Sequence, residues 1–198
     1  MPVWMIPLLL ILAACATAAP QAAPTTIPPT AAPAQPTAVP PTAQPAPPAD
    51  ARPAWQTLPL TDARTGQTFT LADFAGKTVF VEPMATWCSN CRAQLGAVRA
   101  AREALNTDQV VFVALSVETD LTAAALAEYA EDNGFDWMFA VLTPELLGEL
   151  VAAFGRSASN PPATPHFIIR PDGTATGLST GQESADELVS QLQAEGGL

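Results

Sequence analysis

The chain has 198 residues and a formal charge of −11, from 8 basic and 19 acidic side chains, none of which lies in residues 1–49. So few Lys and Arg cannot build the basic face that phosphate backbones require, so no nucleic-acid partner is expected. Three cysteines are too few to staple a fold, and residues 50–198 suit one domain of ordinary size.

Residues 3–14, VWMIPLLLILAA, form an apolar block of signal-peptide length, interrupted by Pro7. Spanning a bilayer takes about 20 apolar residues, so the block is too short to do so alone. It ends in LAAC, residues 12–15, which resembles the bacterial lipobox: a branched residue, small residues before the cut, then the cysteine whose thiol receives the lipid. The expectation is a lipoprotein signal peptide over 1–14 and a mature chain that begins at lipidated Cys15. The alternative is an uncleaved anchor helix running on to Ala19, against which Thr17 and Pro7 count; no Lys or Arg precedes the block, a departure that counts against both. Residues 15–54 are Ala, Pro, Thr and Gln with little else and hold 12 of the 21 prolines. Such a segment cannot bury a core and reads as a disordered tether, able to reach on the order of 120 Å at about 3.1 Å per residue.

Residues 55–198 alternate short apolar runs with helical patterns, the signature of an α/β domain. TLPL and QTFTL, around the turn TDARTG, predict an N-terminal β-hairpin, and residues 78–83 a central strand. A helix follows over 89–105, with Leu95, Val98, Ala101 and Leu105 on one face. VVFVALSV, 110–117, is apolar throughout, as a parallel strand covered on both faces must be. A helix over 122–133, a strand WMFAVL, and a helix PELLGELVAAF with Pro144 in its first turn come next. HFIIR predicts a strand, RPDG a type I turn, and a short strand through Leu178 precedes a closing helix over 184–194.

The chemistry lies in VFVEPMATWCSNC, residues 79–91. Cys88 and Cys91 form a Cys-x-x-Cys directly after a buried strand and at the start of a helix. Zinc would need two further ligands, and beyond the pair the mature chain offers His166 and no cysteine other than Cys15, so no metal site is expected. A redox dithiol needs only the pair, with the first thiolate at the positive end of the helix and the second half a turn inward to resolve a mixed disulfide. Two buried thiols without a role are the bland alternative.

ATWCSNC, its preceding strand, and ATPHFIIRPDG about 75 residues later resemble the thioredoxin superfamily, in particular its membrane-anchored extracytoplasmic members of the TlpA and ResA type. The resemblance spans about residues 55–195. It implies a thioredoxin-like central mixed sheet flanked by helices, with an N-terminal β-hairpin and a helix–strand insertion at about 122–142. It also implies that Cys88 is the nucleophile, Cys91 the resolving cysteine, Trp87 a shield over the dithiol, and Pro165 a cis-proline. Thr164, before that proline, would offer backbone groups to a substrate chain. Glu82 stands six residues before Cys88, where cytosolic thioredoxins carry a buried acid. Buried without a partner, it would hold a proton near neutral pH and exchange it with Cys91. The competing reading has Glu82 at a strand end cut short by Pro83, reaching water or paired with Lys77 or an arginine. The dipeptide Ser89-Asn90 and the loop 156–164, longer than the family's, depart from the pattern, and the loop is expected to border the dithiol.

The expected function is a thiol–disulfide oxidoreductase on the outer face of the cytoplasmic membrane that reduces disulfides of exported proteins, with apocytochrome c a candidate client. Its redox-active disulfide would be its only cofactor, and a membrane partner would supply electrons, since no G-x-G-x-x-G fingerprint occurs in the chain. A peroxiredoxin-like peroxidase is an alternative, though neither cysteine sits in a Pro-x-x-x-Thr/Ser-x-x-Cys pattern. A copper-binding chaperone of related fold is another, though such proteins typically space their cysteines by three residues, where two lie between these.

Overall fold

The computed structural model describes residues 52–105 and 108–196; the predicted signal peptide, Cys15 and nearly all of the predicted tether lie outside them. Four strands form the central sheet, in the spatial order 138–141, 110–116, 78–84 and 167–169. β3 (Thr78–Met84) and β4 (Val110–Ser116) are parallel, as are β4 and β5 (Met138–Val141), while β6 (Phe167–Ile169) runs antiparallel to β3. Every residue of β3 and β4 is buried, which is why both strands read as apolar runs without alternation.

Helices cover both faces. On one, α2 (Ser89–Ala104), α3 (Ala123–Asp132) and α5 (Ala185–Gly196) bring Leu95, Val98, Leu126, Ala130, Leu188 and Leu192 onto Phe80, Phe112 and Phe139. On the other, α1 (Ala54–Thr57) and α4 (Pro144–Phe154) bring Trp55, Leu146 and Leu150 onto Val79, Val81 and Val113. Thr122 and Thr143 cap α3 and α4, each accepting a hydrogen bond from the backbone N–H three residues on. The predicted hairpin forms as β1 (Leu60–Thr61) and β2 (Thr68–Phe69), and Asp62 bridges it to Ala140 at the β5 edge.

Three expectations change. α1 begins at Ala54, where the sequence reads as the end of the tether, because Trp55 is buried with its ring 5.4 Å from Phe167. Pro83 does not end β3. Met84 O accepts from Val117 N at 2.9 Å, so even-numbered residues of β3 direct their backbone toward β4. The odd-numbered Pro83 therefore turns its nitrogen to the opposite edge, where β6 has stopped pairing after Val81, and its missing N–H costs no ladder bond. The predicted strand through Leu178 is reduced to single bridges, His166 to Ser179 and Ile169 to Ala175. Between them the N–H of Ile168 donates to the Thr176 hydroxyl at 3.0 Å, a side chain replacing the backbone acceptor a ladder would use.

The predicted RPDG turn closes with Gly173 N donating to Arg170 O at 2.8 Å. Gly173 has φ +89°, and a Cβ there would lie 2.7 Å from the Arg52 guanidinium carbon. Arg52 donates to Gln56 Oε1, and Gln56 Nε2 donates to Gly173 O at 2.9 Å, so one turn holds the start of the described chain. Gly173→Ala combines left-handed strain with a clash and is expected to cost about 1–3 kcal/mol, read from the urea midpoint.

Candidate active site around Cys88 and Cys91

Cys88 is the N-cap of α2 and is disulfide-bonded to Cys91, with 5.3 Å between their Cα atoms. The N–H of Cys91 donates to Cys88 Sγ at 3.1 Å. Cys88 thus sits where unpaired N–H groups and the helix dipole favour a thiolate. Cys88 is 3% exposed and Cys91 0%, so both sulfurs are nearly enclosed in the oxidised protein. Trp87, 65% exposed, is the one exposed large hydrophobic among the described residues and immediately precedes Cys88.

The loop 156–164 borders the dithiol as expected. It folds as two 3₁₀ turns, Arg156–Ser159 and Pro161–Ala163, and its Pro161 carbonyl oxygen lies 3.2 Å from Cys91 Sγ, an acceptor ready for the thiol on reduction. Asn90 Nδ2 donates to Pro162 O at 2.9 Å and fastens the loop to the first turn of α2. This packing alters two expectations. No cis peptide bond occurs among the described residues, so the bond before Pro165 is trans. Thr164 ends the second turn in the left-handed region, φ 47°, with its N–H given to Pro161 O and its carbonyl accepting from His166 Nδ1 at 3.0 Å. Its backbone groups are therefore engaged within the protein and not offered to a substrate. The extra loop residues make this possible, since they place a complete turn immediately before Pro165.

His166 is buried, stacked on Phe80 with ring centroids 5.6 Å apart, and its Nε2 lies 3.2 Å from Glu183 Oε1. It serves the core beneath the loop.

Glu82 is 1% exposed, and neither carboxylate oxygen has a hydrogen-bond partner. Strand alternation places it between Phe80 and Met84, on the face covered by α2 and holding Cys91. Burial holds its pKa well above the usual carboxylate range. The ion pair with Lys77 or an arginine is not formed among the described residues. Its register partner on β4, Ala114, brings no charge to the row.

Two functional neighbours escaped the sequence reading. Glu118 accepts from Thr86 N at 2.6 Å and Thr86 Oγ1 at 3.2 Å, fixing the segment that carries Trp87 into Cys88. A carboxylate just past the end of β4 signals such a role only once the two strand ends are known to be adjacent. Pro161 was hidden because the loop's fold could not be read from composition.

The family model described as Redoxin matches residues 37–194. The chain belongs to the Redoxin family. With its disulfide-forming Cys-x-x-Cys at the head of α2, this Redoxin protein is a thioredoxin-like thiol–disulfide oxidoreductase. Among solved structures it is similar to a thioredoxin-family thiol:disulfide interchange protein from Chlorobium tepidum, at 20% identity over 78% of this chain and 98% of that one, TM-score 0.60. It is also similar to a secreted Mycobacterium tuberculosis disulfide oxidoreductase homologous to Escherichia coli DsbE, at 19% identity over 71% and 96%, TM-score 0.55. StoA from Bacillus subtilis matches at 16% identity over 66% and 92%, TM-score 0.52. At these identities the likeness speaks for the fold. No curated protein matches the chain.

Proposed function

We propose that this Redoxin protein reduces disulfides of exported proteins from a lipid-anchored position on the outer face of the cytoplasmic membrane. The observation that carries the reductase reading is the enclosed disulfide of an N-cap cysteine and a deeper one, with an unpartnered buried carboxylate on the same face of the core. Cys88 attacks the client, Cys91 resolves the mixed disulfide, and Glu82 takes the proton from Cys91. Trp87, exposed beside Cys88, offers apolar surface to the client. A membrane partner returns the electrons. The secreted mycobacterial oxidoreductase of the same fold is consistent with work outside the cytoplasm. The family resemblance makes apocytochrome c, whose Cys-x-x-Cys-His cysteines must be reduced before haem attachment, a client to test.

A reductase requires a low midpoint potential. The Cys88–Cys91 couple is expected toward the thioredoxin end of the range, about −270 mV, and a value near −120 mV would make the protein an oxidant of its clients. Anchoring is tested separately: Cys15→Ala should leave an unprocessed precursor and lose detergent-phase partitioning, whereas unchanged partitioning would indicate an uncleaved anchor.

A further inference from the structure

Away from the dithiol, the hydroxyls of Tyr129 and Thr78 are both buried without a partner, and only that of Tyr129 belongs to a titratable group. Tyr129, the only tyrosine in the chain, projects from α3 with its ring half-buried and its hydroxyl fully buried, and that hydroxyl makes no hydrogen bond. The ring rests 6.2 Å from Phe135 and 6.5 Å from Phe139, centroid to centroid. Phe139 ends a row that crosses the sheet in register, Glu82 on β3, Ala114 on β4, Phe139 on β5. Only the Ala114 methyl group stands in that row between Glu82 and the ring on which Tyr129 packs. The charges that act on the phenol come from Arg92 on α2, Glu82 on β3 and Glu118 beyond β4; burial raises the phenol to about 12, with Arg92 opposing and the two carboxylates adding to the rise. On the side of Glu82, α2 contributes Cys91 and α3 contributes Tyr129, while α5 brings only apolar side chains to this core, Leu188 and Leu192 with Ala185 and Val189 at its margin.

We propose that Tyr129 is a positioning residue for the resolving step, its hydroxyl donating to the Glu82 carboxylate when that carboxylate forms. The proposal rests on the reading of Glu82 as the base for Cys91. A buried carboxyl and a buried phenol on one apolar face each carry a desolvation cost while unpaired, and pairing them offsets both. The phenol suits both protonation states, since it can donate to the carboxylate and accept from the acid. In the resolving step Cys91 Sγ–H gives its proton to Glu82, and the thiolate attacks Cys88 Sγ of the mixed disulfide. The Cys88–Cys91 bond forms as the client–Cys88 bond breaks, and the client sulfur leaves with the electron pair as a thiolate that water protonates. By holding the carboxylate beforehand, Tyr129 sets the pH above which Glu82 is ready to accept that proton.

Stopped-flow resolution of a preformed Cys88 mixed disulfide, measured across pH on the full-length protein, tests this. Tyr129→Phe should move the midpoint of the rate profile up by about one pH unit, leaving the attack by Cys88 unchanged. Fluorotyrosine incorporated throughout the protein changes this one residue alone and keeps the side chain's shape; its more acidic phenol donates more strongly and should move the midpoint down. Combined with Glu82→Gln, neither change should shift the profile further. An unmoved midpoint in both proteins, with Glu82→Gln still slow, would overturn the role of Tyr129 and leave that of Glu82 intact. Normal resolution by Glu82→Gln would overturn both. Should Tyr129→Phe fold poorly, the fluorotyrosine protein and the infrared titration of its protonated Glu82 carboxyl band decide the matter.

Discussion

Cys91→Ser is expected to stop turnover altogether while converting the protein into a trap that holds its clients as mixed disulfides on Cys88. The two sulfurs differ in what surrounds them. Cys88 caps α2, receives the N–H of Cys91, and follows the exposed Trp87, so its thiolate is stabilised by the helix N-terminus. Cys91 is fully buried against the Pro161 carbonyl, where a client sulfur cannot approach in line. Without Cys91, the bond between Cys88 and the client has no internal nucleophile to break it. Cys88→Ser should form no such adducts, although it retains a thiol. Affinity capture of the Cys91→Ser protein from the cells that naturally produce it, followed by non-reducing electrophoresis and mass spectrometry, reads the result and names the clients. Adducts formed through Cys91 in the Cys88→Ser protein would reverse the assignment.

The parts of this site that were legible in the sequence are those fixed by local pattern. The Cys-x-x-Cys at a strand-to-helix junction, the buried run 79–81 before it, and the helices after it follow from local periodicity, and the structure places them as expected. What was illegible depends on pairing across long separations. Pro83 reads as a strand breaker until β6 is known to stop at Val81, and only the continuation of β3 to Met84 decides between the two readings of Glu82, in favour of the buried acid. Thr164 and Pro165 were placed by resemblance, and the longer loop before them overrode it by closing a turn on Thr164. The hold of Glu118 on Thr86, across 32 residues, exists only because parallel strands bring their ends together. Function is thus written locally at the nucleophile and non-locally in the groups that tune it.

Glu82→Gln should slow the resolving step by about 10²-fold while leaving the attack by Cys88 nearly unchanged. Positioned acid–base catalysis is typically worth about 10²–10⁴-fold, and the low end applies where water can substitute in part. Glutamine keeps the shape of the side chain and its hydrogen-bonding capacity but cannot take the proton of Cys91. Stability should change in the opposite direction. Burial raises the folded-state pKa of Glu82 well above its unfolded value, so between the two the folded protein binds more protons than the unfolded chain. Below the unfolded value, near 4.3, both states hold the proton and there is no penalty. As pH rises through the window the wild type loses about 1.4 kcal/mol per pH unit, until Glu82 ionises in the folded protein as well. The amide introduced by Glu82→Gln has no such dependence, so the variant should be the more stable at neutral pH, with the difference vanishing toward pH 4. A carboxylate paired with a base would show the reverse, a depressed pKa and a variant less stable above the unfolded value with no kinetic defect. Urea titrations from pH 4 to 9 beside stopped-flow resolution therefore separate the two cases, and normal resolution with lower stability at neutral pH would remove Glu82 from the mechanism.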